Sequence, residues 1–267
     1  MSGERIVPEN IKSLGEYFLY LKEIFIYNWC AKIIPSTGHC LDLGCGEGFG
    51  TQLLAPFVKE MVGIDINKKI IQRASNKYGG SNCHFEIYNG KILPFSDDTL
   101  DAVVSLHVIE HVKDDTHFVS EIYRVLKKDG IGIFTTPNRI MRLPPGVMPW
   151  NIFHVREYTP SELHKLLTTS FKEAEFFGLT AVDKVKQIEE ARIRQNLKLI
   201  SYDFFNLRRL LPLPISSLLI KVLHFIKGVE KKVDHSVYEK YKDPFSLYKV
   251  EKILDENVLD IIGICMK

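Results

Sequence analysis

The stretch Leu41–Gly50 reads LDLGCGEGFG, with glycine at every second position from Gly44 to Gly50. Its apolar start, broken by Asp42, suits the end of a strand. The glycines suit a loop whose backbone lets a bulky partner come close, because no Cβ stands in the way. The spacing separates ligand classes. A dinucleotide loop needs GxGxxG, and counting from Gly44 puts Phe49 at the third glycine, while counting from Gly46 puts Thr51 there. A phosphate loop needs lysine and a hydroxyl residue after its last glycine, and none follows here. What remains is Asp42-x-Gly44-x-Gly46-x-Gly48, joined further on by Asp65 in VGIDIN.

Outward from this loop, strand and helix patterns alternate. HCLDLG, EMVGIDI, NCHFEIY, the start of TLDAVVSLHVIE, and IGIFTTPN read as five strands; GTQLLAPF, KKIIQRASNKYG and DTHFVSEIYRVLKKDG read as helices. This rhythm predicts a parallel sheet covered by helices on both faces. Before it, residues 11–34 carry Leu14, Phe18, Leu21, Phe25 and Trp29 at helical spacing, ended by Pro35. After Asn138 the rhythm gives way to a loop with Pro144, Pro145 and Pro149. Thr159, Pro160 and Glu162 then announce a capped helix. FKEAEFFGLT reads as a sixth strand, residues 182–200 as a charged helix, and NVLDIIGICMK as the closing strand.

The totals narrow the functional classes. A chain of 267 residues with 45% apolar and 25% charged residues is that of a globular α/β protein. A formal net charge of +2 gives no electrostatic footprint for nucleic acid. Cys30, Cys40, Cys45, Cys83 and Cys265 are dispersed and odd in number, which fits reduced thiols and a cytoplasmic setting. The polar MSGERIVPEN start has no apolar core of a secretory signal, and no apolar run reaches the length of a membrane span.

The glycine pattern with Asp65 resembles the class I S-adenosylmethionine-dependent methyltransferases of the small-molecule type, over roughly Cys40 to Leu179. The resemblance implies a Rossmann-like, doubly wound sheet of seven strands with the last one antiparallel. It implies S-adenosylmethionine as cofactor and S-adenosylhomocysteine as product. The loop residues Asp42, Gly44, Cys45, Gly46 and Gly48 would surround the amino-acid part of the cofactor, with Asp42 more readily an acceptor for loop N–H groups than a direct ligand. Asp65 would take both ribose hydroxyls, as a carboxylate can, with an ordinary helix cap as its structural alternative. Ile66 would pack on the adenine, and Asn89 with Gly90 in NGKILPFSDDTLD would meet its edge. Leu106 and His107, in VVSLHVIEHV, would lie under the methionyl part and the reacting methyl; Tyr27 falls where relatives carry an Arg-Tyr pair.

Methyl transfer from a sulfonium is an in-line displacement, so the protein positions the acceptor and, for a hydroxyl, removes a proton. Histidine suits that task, since its ordinary pKa lies near neutrality. His107 is the first candidate base. His154 in NIFHVREY is the second, with Arg156 and Tyr158 as substrate contacts; the structural alternative is a loop fixed by an Arg156–Glu157 ion pair. No metal ligand set is read: Asp97, Asp98 and Asp101 lie in a turn, Asp114 and Asp115 start a helix, and His111 lies on a helix face. Strand four lacks the [ND]PP[YF] signature of amino-group methylation.

Residues 205–233 hold six Lys/Arg and one Glu among apolar residues. They are expected to form a lid or dimer helix, with peripheral membrane contact as the sharper alternative. The organisation expected is an N-terminal helical segment, 1–34, and one domain, 35–267, with a helical insert at about 182–250. The function expected is methylation of a small-molecule acceptor, at an oxygen of a sugar-like or lipid-linked metabolite. A cofactor-binding regulator without catalysis is the alternative.

Overall fold

The computed structural model describes residues 6–11, 13–201, 244–249 and 258–267. Its strands are β1 (His39–Leu43), β2 (Glu60–Asp65), β3 (Cys83–Ile87), β4 (Leu100–Leu106), β5 (Leu126–Pro137), β6 (Glu173–Ala181), β7 (Phe245–Lys249) and β8 (Asp260–Met266). They form one sheet in the order β3-β2-β1-β4-β5-β8-β6-β7. The pairs from β3 to β5 are parallel. β8 runs antiparallel to both β5 and β6. The expected Rossmann-like architecture with an antiparallel last strand is present. It is extended by one edge strand, β7, paired antiparallel on β6 within the stretch read as a helical insert. The basic segment 205–233 lies outside the described residues.

Neighbouring residues of each central strand face opposite cores. Leu41, Val103, Phe134 and Ile261 join one core, whereas Cys40, Ala102, Val104, Ile133 and Ile262 join the other. Helices α4 (Asp115–Val125) and α6 (Pro160–Leu167) cover the first face; α1 (Leu14–Cys30), α2 (Phe49–Leu54) and α7 (Asp183–Ser201) cover the second, and α3 (Lys68–Tyr78) packs on β2 and β3. Burial on both faces explains the unbroken apolar run of β4. The short α5 (Arg139–Arg142) opens the proline-rich loop.

Local chemistry sets the helix ends. Ser13 caps α1, Asn67 caps α3 and Asp114 caps α4, each accepting a backbone N–H. α6 has the expected capping box of Thr159 and Glu162. α1 is shorter than the 11–34 read from periodicity, because residues 31–34 continue it only as tight turns. Its most buried stripe is Phe18, Lys22, Ile26 and Cys30, with Tyr27 beside it. A lysine in that stripe announces a partner within the protein. All five cysteines are buried and free.

Candidate functional site

The carboxyl ends of β1, β2, β4 and β5 and the first residue of β8 share one edge of the sheet, with Pro137 opposite Asp260. Ligands of doubly wound sheets lie along such an edge. Two constellations occupy it.

The first follows β1 and β2. The chain enters the left-handed region at Gly44, Gly46 and Gly48. A Cβ at Gly44 would stand 2.4 Å from Val108 Cγ2, so no other residue fits there. At Gly46 nothing lies within 4 Å of the Cβ position, so the loop is open on that side. The N–H groups of Gly44 and Cys45 donate to the Ile64 carbonyl at 2.8 and 3.0 Å and fold the loop onto β2. Cys45 is buried, which pushes its thiol pKa up.

Asp42 is 1% exposed and sits behind this loop. It accepts from Thr51 Oγ1 at 2.6 Å and from the Tyr27 hydroxyl at 3.3 Å. Its structural partners are therefore these hydroxyls rather than the loop N–H groups expected. Burial holds its carboxyl pKa up at about 7, against the pull of both hydroxyls. Tyr27 also packs against the start of α2: a Cβ on Gly50 would stand 1.9 Å from its ring. Tyr27 thus buttresses the loop from behind.

Asp65 ends β2 and accepts from Asn67 N at 2.8 Å. Asn67, not Asp65, caps α3, so the ordinary cap reading of Asp65 does not describe it. Ile66 next to it is 65% exposed, and Ile92 is exposed as well. The Asn89 side-chain oxygen Oδ1 accepts from Lys91 N at 2.8 Å and Ile92 N at 3.0 Å, closing a turn that brings Gly90 against Ile66. That oxygen was expected to receive the adenine amino group, but the turn already fills both of its lone pairs. A left-handed glycine open to one side, a carboxylate at the next strand end and two exposed isoleucines fit an adenosyl cofactor with an amino-acid tail.

The second constellation follows β4. Leu106 is buried, and His107 takes a left-handed φ of +54° with its N–H on Thr135. Its imidazole, 18% exposed, is ringed by carboxylates. Nε2 lies 3.3 Å from Glu23 and 3.5 Å from Asp260, and Nδ1 lies 3.5 Å from Glu110. Lys22 reaches Asp260 at 2.6 Å. Burial pulls the His107 pKa down, but Glu23 and Asp260 push it further up, to about 10. This departs from the expectation of a histidine poised near neutrality: the carboxylates around the ring favour its charged form. Burial raises the pKa of Glu23, while Lys22 and His107 hold Asp260 below the usual carboxylate range in spite of its burial.

The proline-rich loop docks beside this cluster. Val155 N donates to the Glu110 carbonyl at 2.8 Å. His154 is 0% exposed, with Nδ1 2.8 Å from Glu157, whose other oxygen lies 3.4 Å from Arg142. Arg156 turns to Asp115 and the Lys113 carbonyl, and Tyr158 donates to Asp115 at 2.8 Å. His154, Arg156 and Tyr158 therefore do not form the substrate-facing row expected of them; each is held by another part of the protein. The Arg156–Glu157 pair considered as the alternative does not form either, because both residues have other partners.

Sequence reasoning missed Lys22, Glu23, Glu110 and Asp260. The available signals were two charges inside the apolar pattern of α1 and an acid directly before the apolar run of β8.

Residues 41–134 match the family model of the methyltransferase domain. A protein described as a probable S-adenosylmethionine-dependent methyltransferase of Mycolicibacterium smegmatis is 33% identical over 177 residues, 66% of each chain. One of the same description from Mycobacterium tuberculosis is 31% identical over 169 residues, 62% of this chain and 59% of that one. The chain thus spans a little under two thirds of the length of these curated relatives. Among solved structures, an S-adenosylmethionine-dependent methyltransferase from Thermotoga maritima superimposes with a TM-score of 0.56 at 14% identity, covering 99% of this chain and 97% of its own.

Proposed function

We propose, from the premise that this chain belongs to the class I S-adenosylmethionine-dependent methyltransferases, that it methylates an oxygen of a sugar-like or lipid-linked small molecule. S-adenosylmethionine supplies a methyl group already activated on a sulfonium. Asp65 accepts the ribose hydroxyls, Ile66 and the Asn89–Gly90 turn frame the adenine, and the loop at Gly44–Gly48 receives the amino-acid tail. Leu106 and His107 border the place where the acceptor meets the methyl.

The observation that carries the acceptor reading is His107 set between the carboxylates of Glu23 and Asp260 at the strand ends. A hydroxyl acceptor needs hydrogen-bond acceptors around it and a group that takes its proton. Glu23 supplies both: its carboxylate is a hydrogen-bond acceptor, and burial raises its pKa above the ordinary value. His107 keeps Glu23 in place and offsets its charge. His154 has no part in this path, being buried against Glu157.

The test is methyl transfer from labelled S-adenosylmethionine to a panel of sugar and lipid-linked alcohols. Turnover should appear with a hydroxyl acceptor and fall at least a hundredfold in Glu23→Gln, with cofactor affinity unchanged by calorimetry. Transfer to nitrogen or carbon alone would refute the acceptor class. Full turnover in Glu23→Gln would refute the proton path.

A further inference from the structure

The glycine loop carries one charged side chain, Glu47, set between the left-handed Gly46 and Gly48. Nothing in the methyl-transfer chemistry calls for it. Glu47 faces α3, the helix that begins just after Asp65 and Asn67. Arg73 on that helix holds its carboxylate as a fork: Nη2 donates to Oε1 at 2.6 Å and Nε to Oε2 at 3.2 Å. The Glu47 side chain is 12% exposed, while that of Arg73 is 61% exposed. Packing joins the same two elements one residue later, since a Cβ on Gly48 would stand 2.7 Å from Ala74 Cβ. The loop therefore lies on α3, and two parallel hydrogen bonds fix how it lies there.

The loop is tied to β2 only at its start, where Gly44 N and Cys45 N donate to the Ile64 carbonyl. Past that point its glycine backbone is free of the usual steric limits, and a side-chain bond to a helix is the kind of tie that can hold it. α3 carries that tie on to the ribose end of the cradle. Asn67 caps α3, and its N–H donates to Asp65 Oδ1 at 2.8 Å. Asp65, Asn67, α3, Arg73 and Glu47 form one run of contacts from the end of β2 back to the glycine loop.

We propose that the Arg73–Glu47 pair is a positioning element for S-adenosylmethionine. It sets the spacing between the loop, which receives the amino-acid tail, and Asp65, which receives the ribose. This rests on that placement of the two halves of the cofactor, and it is independent of the methyl acceptor. An ion pair with one partner largely in water adds little to stability. Its loss is therefore read in ligand affinity rather than in Tm.

The experiment is calorimetry of the full chain with two ligands. S-adenosylhomocysteine spans both halves of the cradle; 5′-methylthioadenosine keeps the nucleoside and lacks the amino-acid tail. Arg73→Met should weaken S-adenosylhomocysteine about tenfold and 5′-methylthioadenosine by less than about twofold, with Tm unchanged. Glu47→Gln should do the same, and the double variant should be no weaker than either single one, because the pair acts as a unit. Arg73→Lys keeps the charge without the fork and should fall between Arg73→Met and the wild type. Gln72→Ala, at an exposed neighbour on α3, should change neither affinity. Wild-type affinity for S-adenosylhomocysteine in Arg73→Met overturns the proposal. So does a loss confined to Glu47→Gln, which makes Glu47 a direct partner of the tail. Equal loss for both ligands, or a lowered Tm, also overturns it, since the damage is then to the site as a whole. A wild-type chain that binds the two ligands equally well refutes the placement of the tail, and the proposal with it.

Discussion

The two constellations on the edge of the sheet are built in opposite ways. The first is made by backbone: left-handed glycines, a turn at Asn89 and one carboxylate, all between β1 and the turn after β3. The second is made by side chains. Glu23 comes from α1, His107 and Glu110 from the segment after β4, and Asp260 from β8. The first needs space and little charge; the second packs three carboxylates and two cations where water barely reaches. Backbone cradles survive many side-chain changes, whereas a buried charge cluster depends on every member being present.

That contrast can be broken at its strongest point first. Lys22→Met should destabilise the chain by about 3–5 kcal/mol, because it leaves Asp260 charged, buried and short of a partner. Urea unfolding measures it, and a change below 1 kcal/mol would mean that the cluster is not held together by charge. Asp65→Ala acts on the other side. It should weaken S-adenosylmethionine binding by about 3 kcal/mol, roughly a hundredfold, with Tm nearly unchanged; calorimetry and thermal unfolding separate the two.

Asp42→Asn sharpens the comparison through pH. The Asp42 carboxyl rises from 3.8 to about 7 on folding. The folded chain therefore binds more protons than the unfolded one between those values. Stability from this group is fully present below pH 3.8 and is lost as pH rises through about 7. Asp42→Asn should flatten that slope, on the order of 2 kcal/mol between pH 4 and 7, in unfolding curves recorded without cofactor. An unchanged slope would remove Asp42 as the titrating group. The smallest effect belongs to Thr159→Ala, which breaks the capping box of α6 away from both constellations. It should cost about 1 kcal/mol and leave cofactor affinity untouched; a shift in that affinity would show that the two sides are coupled through the loop before α6.

The same contrast explains what the sequence disclosed. The glycine spacing, Asp65 and the βα rhythm are local, and a local pattern can be read along the chain. β7 escaped because five residues give too little alternation to stand out, and its order comes from pairing with β6. The His107 ring was legible as a histidine at a strand end, but its protonation was not, because Glu23 and Asp260 approach it from opposite ends of the chain. His154 looked like a loop histidine open to substrate. It is buried because Glu157 and His111 close around it, a contact that no spacing rule contains.

The place of β8 has a consequence for the order of assembly. It follows β6 and β7 in the chain, yet it lies between β5 and β6. During synthesis the parallel half, β1 to β5, can close while β6 has no sheet to join. The slot is filled only when β8 emerges and zips antiparallel to both neighbours, a long-range pairing of the slow kind. Asp260 rides on that strand. The glycine loop and its strands can thus form before the charge cluster exists, and the last strand to arrive delivers the carboxylate that completes it.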